Sequence, residues 1–133
     1  MRDRAKGASL MAGKILVVED NKTGRVLLRD VLTHAGYEVI EAVNGAEGVK
    51  AAREQMPDLV LMDMQMPVMD GLNALKALRD DPATKGMKVV AVTSFAMKGD
   101  RERILGEGFD GYMAKPVDTR ALPRLVKKLM ETA

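Results

Sequence analysis

Five short strand-like segments, none with an apolar run longer than four or five residues, alternate with stretches of helical spacing. No other feature of the sequence narrows the fold so far. The segments lie at residues 14–18 (KILVV), 37–42 (YEVIEA), 59–62 (LVLM), 88–92 (KVVAV) and 110–114 (DGYMA). The middle one is bounded by Asp58 and Asp63 and followed by Pro67 and Gly71, and it reads as a strand buried on both faces. The 37–42 segment alternates and suits a sheet edge. Leu28, Val31, Leu32 and Ala35 set the first helical stripe, which Gly36 stops. Asn44 caps the second, with Val49, Ala52 and Met56 facing inward and Pro57 ending it. Leu72, Leu75 and Leu78 mark the third, and Met97, Arg101, Ile104 and Leu105 the fourth, which Gly99, Gly106 and Gly108 weaken. Leu122, Leu125, Val126, Leu129 and Met130 form the last stripe. Strands alternating with helices in this way predict an α/β domain around a parallel sheet.

Pro123 conflicts with that last helix. In a helix capped at Asp118 it is the fifth residue, where its missing N–H and its ring oppose the turn before it. The expectation is a tight or 3₁₀ turn over 118–122, with regular helix from about Ala121 or Leu122.

Composition removes several function classes. At 133 residues the chain fits one domain. It has no cysteine, which excludes disulfides, thiolate metal sites and a cysteine nucleophile, and fits a reducing cytosol. No apolar run approaches a membrane span, and the opening MRDRAKGASLMAG lacks the apolar centre of a secretory signal. Net charge is +2, yet Arg2, Arg4, Lys6 and Lys14 against Asp3 place +3 in the first fourteen residues, leaving about −1 for the rest. That is no nucleic-acid footprint. Residues 1–13 read as a disordered tail, with Met11 an internal start or the first ten residues foreign to the domain, and 14–131 as the folded unit. His34, the single histidine, falls in a helix's last turn and reads as a solvated end residue, not a ligand or base.

The chemistry gathers at the carboxyl ends of the strands, where open parallel sheets bind ligands. One strand-end aspartate alone is usually a cap or turn residue. Four strands here end in Glu19 and Asp20, in Asp63, in Thr93 and in Lys115. Two carboxylates about 5 Å apart repel by roughly 3 kcal/mol at an effective dielectric of 20. Three of them must hold a cation or protons. Oxygen-only ligands select a hard ion, and Mg²⁺ bridges carboxylates to phosphate oxygens. Lys115 and Thr93 supply a charge and a donor for phosphoryl oxygens, and Asp63 suits a nucleophile that forms an aspartyl phosphate. Met62, Met64, Met66 and Met69 are packing residues, since thioethers suit soft ions.

The acid pair, the aspartate with its MPxMDG continuation, the Val-Thr-Ser and the Lys-Pro together resemble the receiver domain of two-component response regulators over nearly the whole chain. The segment AVTSFAMKGDRERI looks most like the DivK type of single-domain regulator. The resemblance implies a flavodoxin-like sheet of order 2-1-3-4-5 and phosphotransfer from a phosphohistidine on a histidine kinase or histidine phosphotransfer protein. It implies that Asp63 is the phosphoacceptor and that Asp20, Asp63 and the Gln65 backbone carbonyl bind Mg²⁺, with Glu19 acting through water. Thr93 and Lys115 would contact the phosphoryl group, and Tyr112 would occupy the aromatic switch position, although core filling also explains a tyrosine there. The output would be a downstream protein target meeting the fourth helix, fifth strand and fifth helix. A cytoplasmic monomer or weak dimer is expected, with no nucleic acid, no membrane and no chemistry beyond phosphorylation and dephosphorylation of itself. Phe95 departs from a plain pattern, being bulky and apolar at a position that in this family influences hydrolysis.

Two other readings compete. Phosphohydrolases with an aspartate nucleophile resemble DxDx[TV], but Gln65 stands where their second aspartate belongs and cannot protonate a leaving group. A flavin or dinucleotide fold would carry a glycine-rich loop after the first strand, where EDNKTG stands instead.

Overall fold

A computed structural model describes residues 13–66, 68–94 and 99–131. In chain order the elements are β1 (Lys14–Val18), α1 (Lys22–His34), β2 (Glu38–Ala42), α2 (Gly45–Gln55), β3 (Leu59–Asp63), α3 (Gly71–Asp80), β4 (Lys88–Thr93), α4 (Asp100–Gly106), β5 (Gly111–Ala114) and α5 (Ala121–Glu131). The strands form one sheet of order β2-β1-β3-β4-β5, every pair parallel. The order expected from the resemblance therefore holds, and the outermost strands are β2 and β5.

Strand alternation divides the core in two. Leu16, Val18, Val60, Met62, Val89 and Ala91 face α2, α3 and α4, where Val49, Ala52, Leu75, Leu78 and Ile104 cover them. Their neighbours Ile15, Val17, Leu59, Leu61, Val90 and Val92 face Leu28 and Leu32 of α1 and Leu122 and Val126 of α5. Both faces of β1, β3 and β4 are thus buried, which is why these strands read as unbroken apolar runs rather than alternating ones. Truncating a residue such as Leu61, 1% exposed, to alanine would cost about 2–5 kcal/mol.

The helix ends follow their capping residues. Asn21, Asn44 and Asp70 each accept a hydrogen bond from the amide three residues on, at 2.9, 2.8 and 2.9 Å. α1 ends at its C-cap Ala35, with Gly36 following at φ +100°. α4 is the short helix, seven residues long, and it is entered through Gly99 at φ +92° with no side-chain cap. A left-handed backbone there favours glycine, which has no Cβ to clash.

Several expectations shift in detail. Met56 does not face inward: it is 51% exposed and forms the left-handed C-cap of α2, and Gly45 and Gly48 are buried on the inner side instead. Asp63 is the last residue of β3 rather than the first beyond it, and Tyr37 and Asp110 precede their strands. At Pro123 the turn is α-type, not 3₁₀. Leu122 N–H donates to the Asp118 carbonyl at 3.0 Å, and Asp118 Oδ1 accepts from Arg120 and Ala121 at 2.8 and 3.1 Å. Those amide bonds hold the Asp118 carboxyl below its usual range. Regular helix begins at Ala121, as expected, because Pro123 has no N–H to return to Thr119. Residues 1–12 of the expected tail, Pro67, Phe95 and Met97 lie outside the described residues.

Candidate functional site

Backbone ladders carried one residue past the strands position the site. Glu19 N–H donates to Ala42 O at 3.1 Å, Met64 N–H to Val92 O at 2.9 Å, and Lys115 N–H to Thr93 O at 2.8 Å. These bonds bring Glu19, Asp63, Thr93 and Lys115 to one edge of the sheet. Glu19, Asp63 and Thr93 are buried, at 2%, 2% and 1% exposure, whereas Asp20 is exposed. The Lys115–Pro116 peptide is cis.

Lys115 Nζ lies 3.0 Å from Glu19 Oε1 and 3.3 Å from Asp63 Oδ2. The other oxygens are also occupied. Asn21 N–H donates to Glu19 Oε2 at 3.1 Å, and Gln65 N–H donates to Asp63 Oδ1 at 3.1 Å. Burial, with a contribution from Glu19, pushes the Asp63 carboxyl up to about 6. Burial also works against ionised Glu19, but hydrogen bonds to Asp63 and Lys115 outweigh it and hold Glu19 below its ordinary value. Lys115 is partly desolvated, yet its bond to Glu19 and the charge of Asp63 raise it.

Carboxylate oxygens of Glu19, Asp20 and Asp63 lie within 4.8 Å of one another. An all-oxygen donor set with a surplus negative charge, now offset by one ammonium, fits a hard divalent cation such as Mg²⁺. Beside it a groove of about 370 Å³ runs between α1 and the β5–α5 connection, floored by Leu27, Leu28, Val92 and Val117.

Three residues, Gln65, Arg25 and Gly71, make contacts at the site that were not legible in the sequence. Gln65 Nε2 donates to Thr93 Oγ1 at 2.9 Å, and Gln65 Oε1 accepts from Ser94 N–H at 3.3 Å. Arg25 Nη1 donates to the Glu19 carbonyl at 2.9 Å and steadies the β1–α1 loop. Gly71 packs so closely on β3 that a Cβ there would stand 2.6 Å from the Asp63 carbonyl oxygen. Tyr112 is half-buried on the α3–α4 side and pairs with Ala91, two residues before Thr93.

A family model for the response regulator receiver domain matches residues 15–127. The chain belongs to this family. The polar-differentiation response regulator DivK of Brucella anthropi is 43% identical over 119 residues, covering 90% of this chain and 94% of its own. That of Brucella ovis is 42% identical over the same span. Among solved structures, the receiver domain of a Pseudomonas aeruginosa sensor histidine kinase, with a magnesium ion coordinated in its active-site cleft, superposes with a TM-score of 0.83. It is 32% identical, over 90% of this chain and 98% of that one. The chemotaxis protein CheY4 of Vibrio cholerae superposes with a TM-score of 0.81 at 29% identity, over 89% and 98%.

As a receiver domain, the protein has a phosphoacceptor role in two-component signalling, and the phosphohydrolase alternative finds no support. No helix among the described residues is long and apolar enough to cross a membrane.

Proposed function

We propose that Asp63 is the phosphoacceptor of this receiver domain and that Lys115 is its electrostatic partner. The observation that carries this reading is the single ammonium lying between two buried carboxylates, 3.0 Å from Glu19 and 3.3 Å from Asp63. An oxygen of ionised Asp63 attacks phosphorus, the N–P bond of a phosphohistidine breaks, and the departing imidazole keeps the electron pair and takes a proton from solvent. Asp63, at about 6, is mostly ionised at neutral pH. Lys115 offsets charge as the phosphoryl group arrives, and Thr93 donates to one of its oxygens. Asp20, Asp63 and the Gln65 carbonyl would hold Mg²⁺, with Glu19 acting through water. The ion, when bound, neutralises the carboxylates and the transferred oxygens.

The phosphoryl donor is a histidine kinase or histidine phosphotransfer protein, and the groove beside α1, lined in part by Glu19 and Lys115, opens next to the site. The readout is a downstream protein that meets α4, β5 and α5. Strand alternation supports this. Thr93 and Ala91 share a face of β4, and Ala91 is the register partner of Tyr112. Movement of Thr93 toward the phosphoryl group therefore opens space on the side of Tyr112 and α4. The chain acts on itself rather than turning over a separate substrate, in the cytoplasm, as a monomer or weak dimer.

Intact-mass spectrometry after exposure to an acyl phosphate, with and without Mg²⁺, is the test. One added phosphoryl group is expected in wild type with Mg²⁺ and none in Asp63→Asn. Equal labelling of the two proteins overturns the assignment.

A further inference from the structure

Gln65 touches three functional groups at once. Its backbone N–H holds Asp63 Oδ1, its side-chain Nε2 donates to Thr93 Oγ1 at 2.9 Å, and its Oε1 accepts from Ser94 N–H at 3.3 Å. Both ends of the amide are therefore in use, which fixes its orientation and spans the gap between the ends of β3 and β4. Thr93 is 1% exposed, and Gln65 sits at the partly open rim of the site. When Thr93 leaves, the amide can turn to water at little cost.

We propose that the Gln65 side chain is a latch that holds Thr93 in its unphosphorylated position, making Gln65 a positioning residue that sets how readily the domain switches. The inference rests on the reading that Thr93 donates to the phosphoryl group at Asp63. Thr93 then moves toward Asp63 and gives up the geometry of its bond from Gln65 Nε2. The latch therefore stabilises the unphosphorylated state selectively. A net hydrogen bond of ordinary strength, about 1 kcal/mol, corresponds to about a five-fold bias.

The test is calorimetric titration of Mg²⁺-saturated protein with beryllofluoride, a phosphoryl mimic, in wild type, Gln65→Met, Thr93→Ala and the double variant. Gln65→Met is expected to bind the mimic about five-fold tighter than wild type. In the Thr93→Ala background the same change is expected to have no effect, since the latch acts through the hydroxyl. Gln65→Asn, too short by one methylene to reach Thr93, should tighten binding as Gln65→Met does, and it serves if the methionine variant folds poorly. Unchanged or weaker binding in both Gln65 variants overturns the latch. So does an equal gain in the Thr93→Ala background, which would mean that Gln65 acts on the mimic directly. In either case mimic binding by wild type leaves the phosphoacceptor reading standing. No binding by wild type removes that reading and the latch with it.

Discussion

Glu19, buried at the end of β1, receives the ammonium of Lys115 from the end of β5 at 3.0 Å. The contact joins the first strand to the last across the carboxyl edge of the sheet, and it offsets charge on two carboxylates at once. Lys115→Met would leave Glu19 buried without its cation. Asp63 could take a proton, so the cost should fall below that of an unrelieved buried charge, at about 1–3 kcal/mol. Thermal melts in a chelator are expected to show this loss, and added Mg²⁺ to restore part of it. A variant as stable as wild type in chelator would mean that the pair contributes nothing to the fold.

The pH dependence of the metal-free protein follows from Asp63. Its folded-state value, about 6, lies above the ordinary aspartate value, so folding favours the protonated form. This contribution is fully present below about pH 4 and is lost as pH rises through about 6. For a carboxyl only 2% exposed it amounts to at most about 3 kcal/mol. Glu19, held low, contributes with the opposite sign, so the informative quantity is the difference between wild type and Asp63→Asn. Denaturant unfolding in chelator at about pH 3.5 and about pH 7, on either side of the window, should show wild type losing stability relative to Asp63→Asn as pH rises. Parallel pH profiles would contradict this assignment.

Gly71 is the second residue whose replacement should be felt at Asp63. A Cβ there would stand 2.6 Å from the Asp63 carbonyl oxygen and 2.9 Å from Met64 Cα, both backbone atoms that cannot swing aside. Gly71→Ala is expected to cost about 1–3 kcal/mol and to slow labelling of Asp63 by an acyl phosphate. A variant with unchanged stability and labelling rate would show that the β3–α3 loop yields freely.

Arg79 should anchor the base of the output face. It donates to the carbonyls of Lys85, Met87 and Gly108 and to Asp110 Oδ2, at 3.0, 2.6, 3.0 and 3.0 Å. Asp110 Oδ2 in turn accepts from Val89 N–H at 2.8 Å. Arg79→Met is expected to cost about 1–3 kcal/mol. It should also speed amide exchange between α4 and β5 more than in α1. Uniform acceleration across the domain would mean that the clamp is not local.

The sequence by itself determined the elements and the edge at which they converge. Runs such as LVLM and KVVAV carry their burial in their own composition, because a central parallel strand is covered on both faces. Asn44 and Asp118 announce their helices because an N-cap bonds only amides two or three residues on. Glu19, Asp63, Thr93 and Lys115 were legible as site residues because each follows or closes such a run. Met56 was misread because helical spacing assigns a face but does not reveal that the chain turns left-handed at that residue.

Only the tertiary structure decided how those strand ends touch. Gln65 reaches Thr93 and Ser94 from another strand, Arg79 gathers carbonyls from two separate loops, and Arg25 reaches back over the loop before it. The proton affinity of Asp63 likewise depends on burial and on Glu19, which comes from a different strand. Strand order, register and side-chain direction set these distances jointly. Coulombic and hydrogen-bond energies change steeply over a few ångströms, and spacing along the chain does not encode separation on that scale.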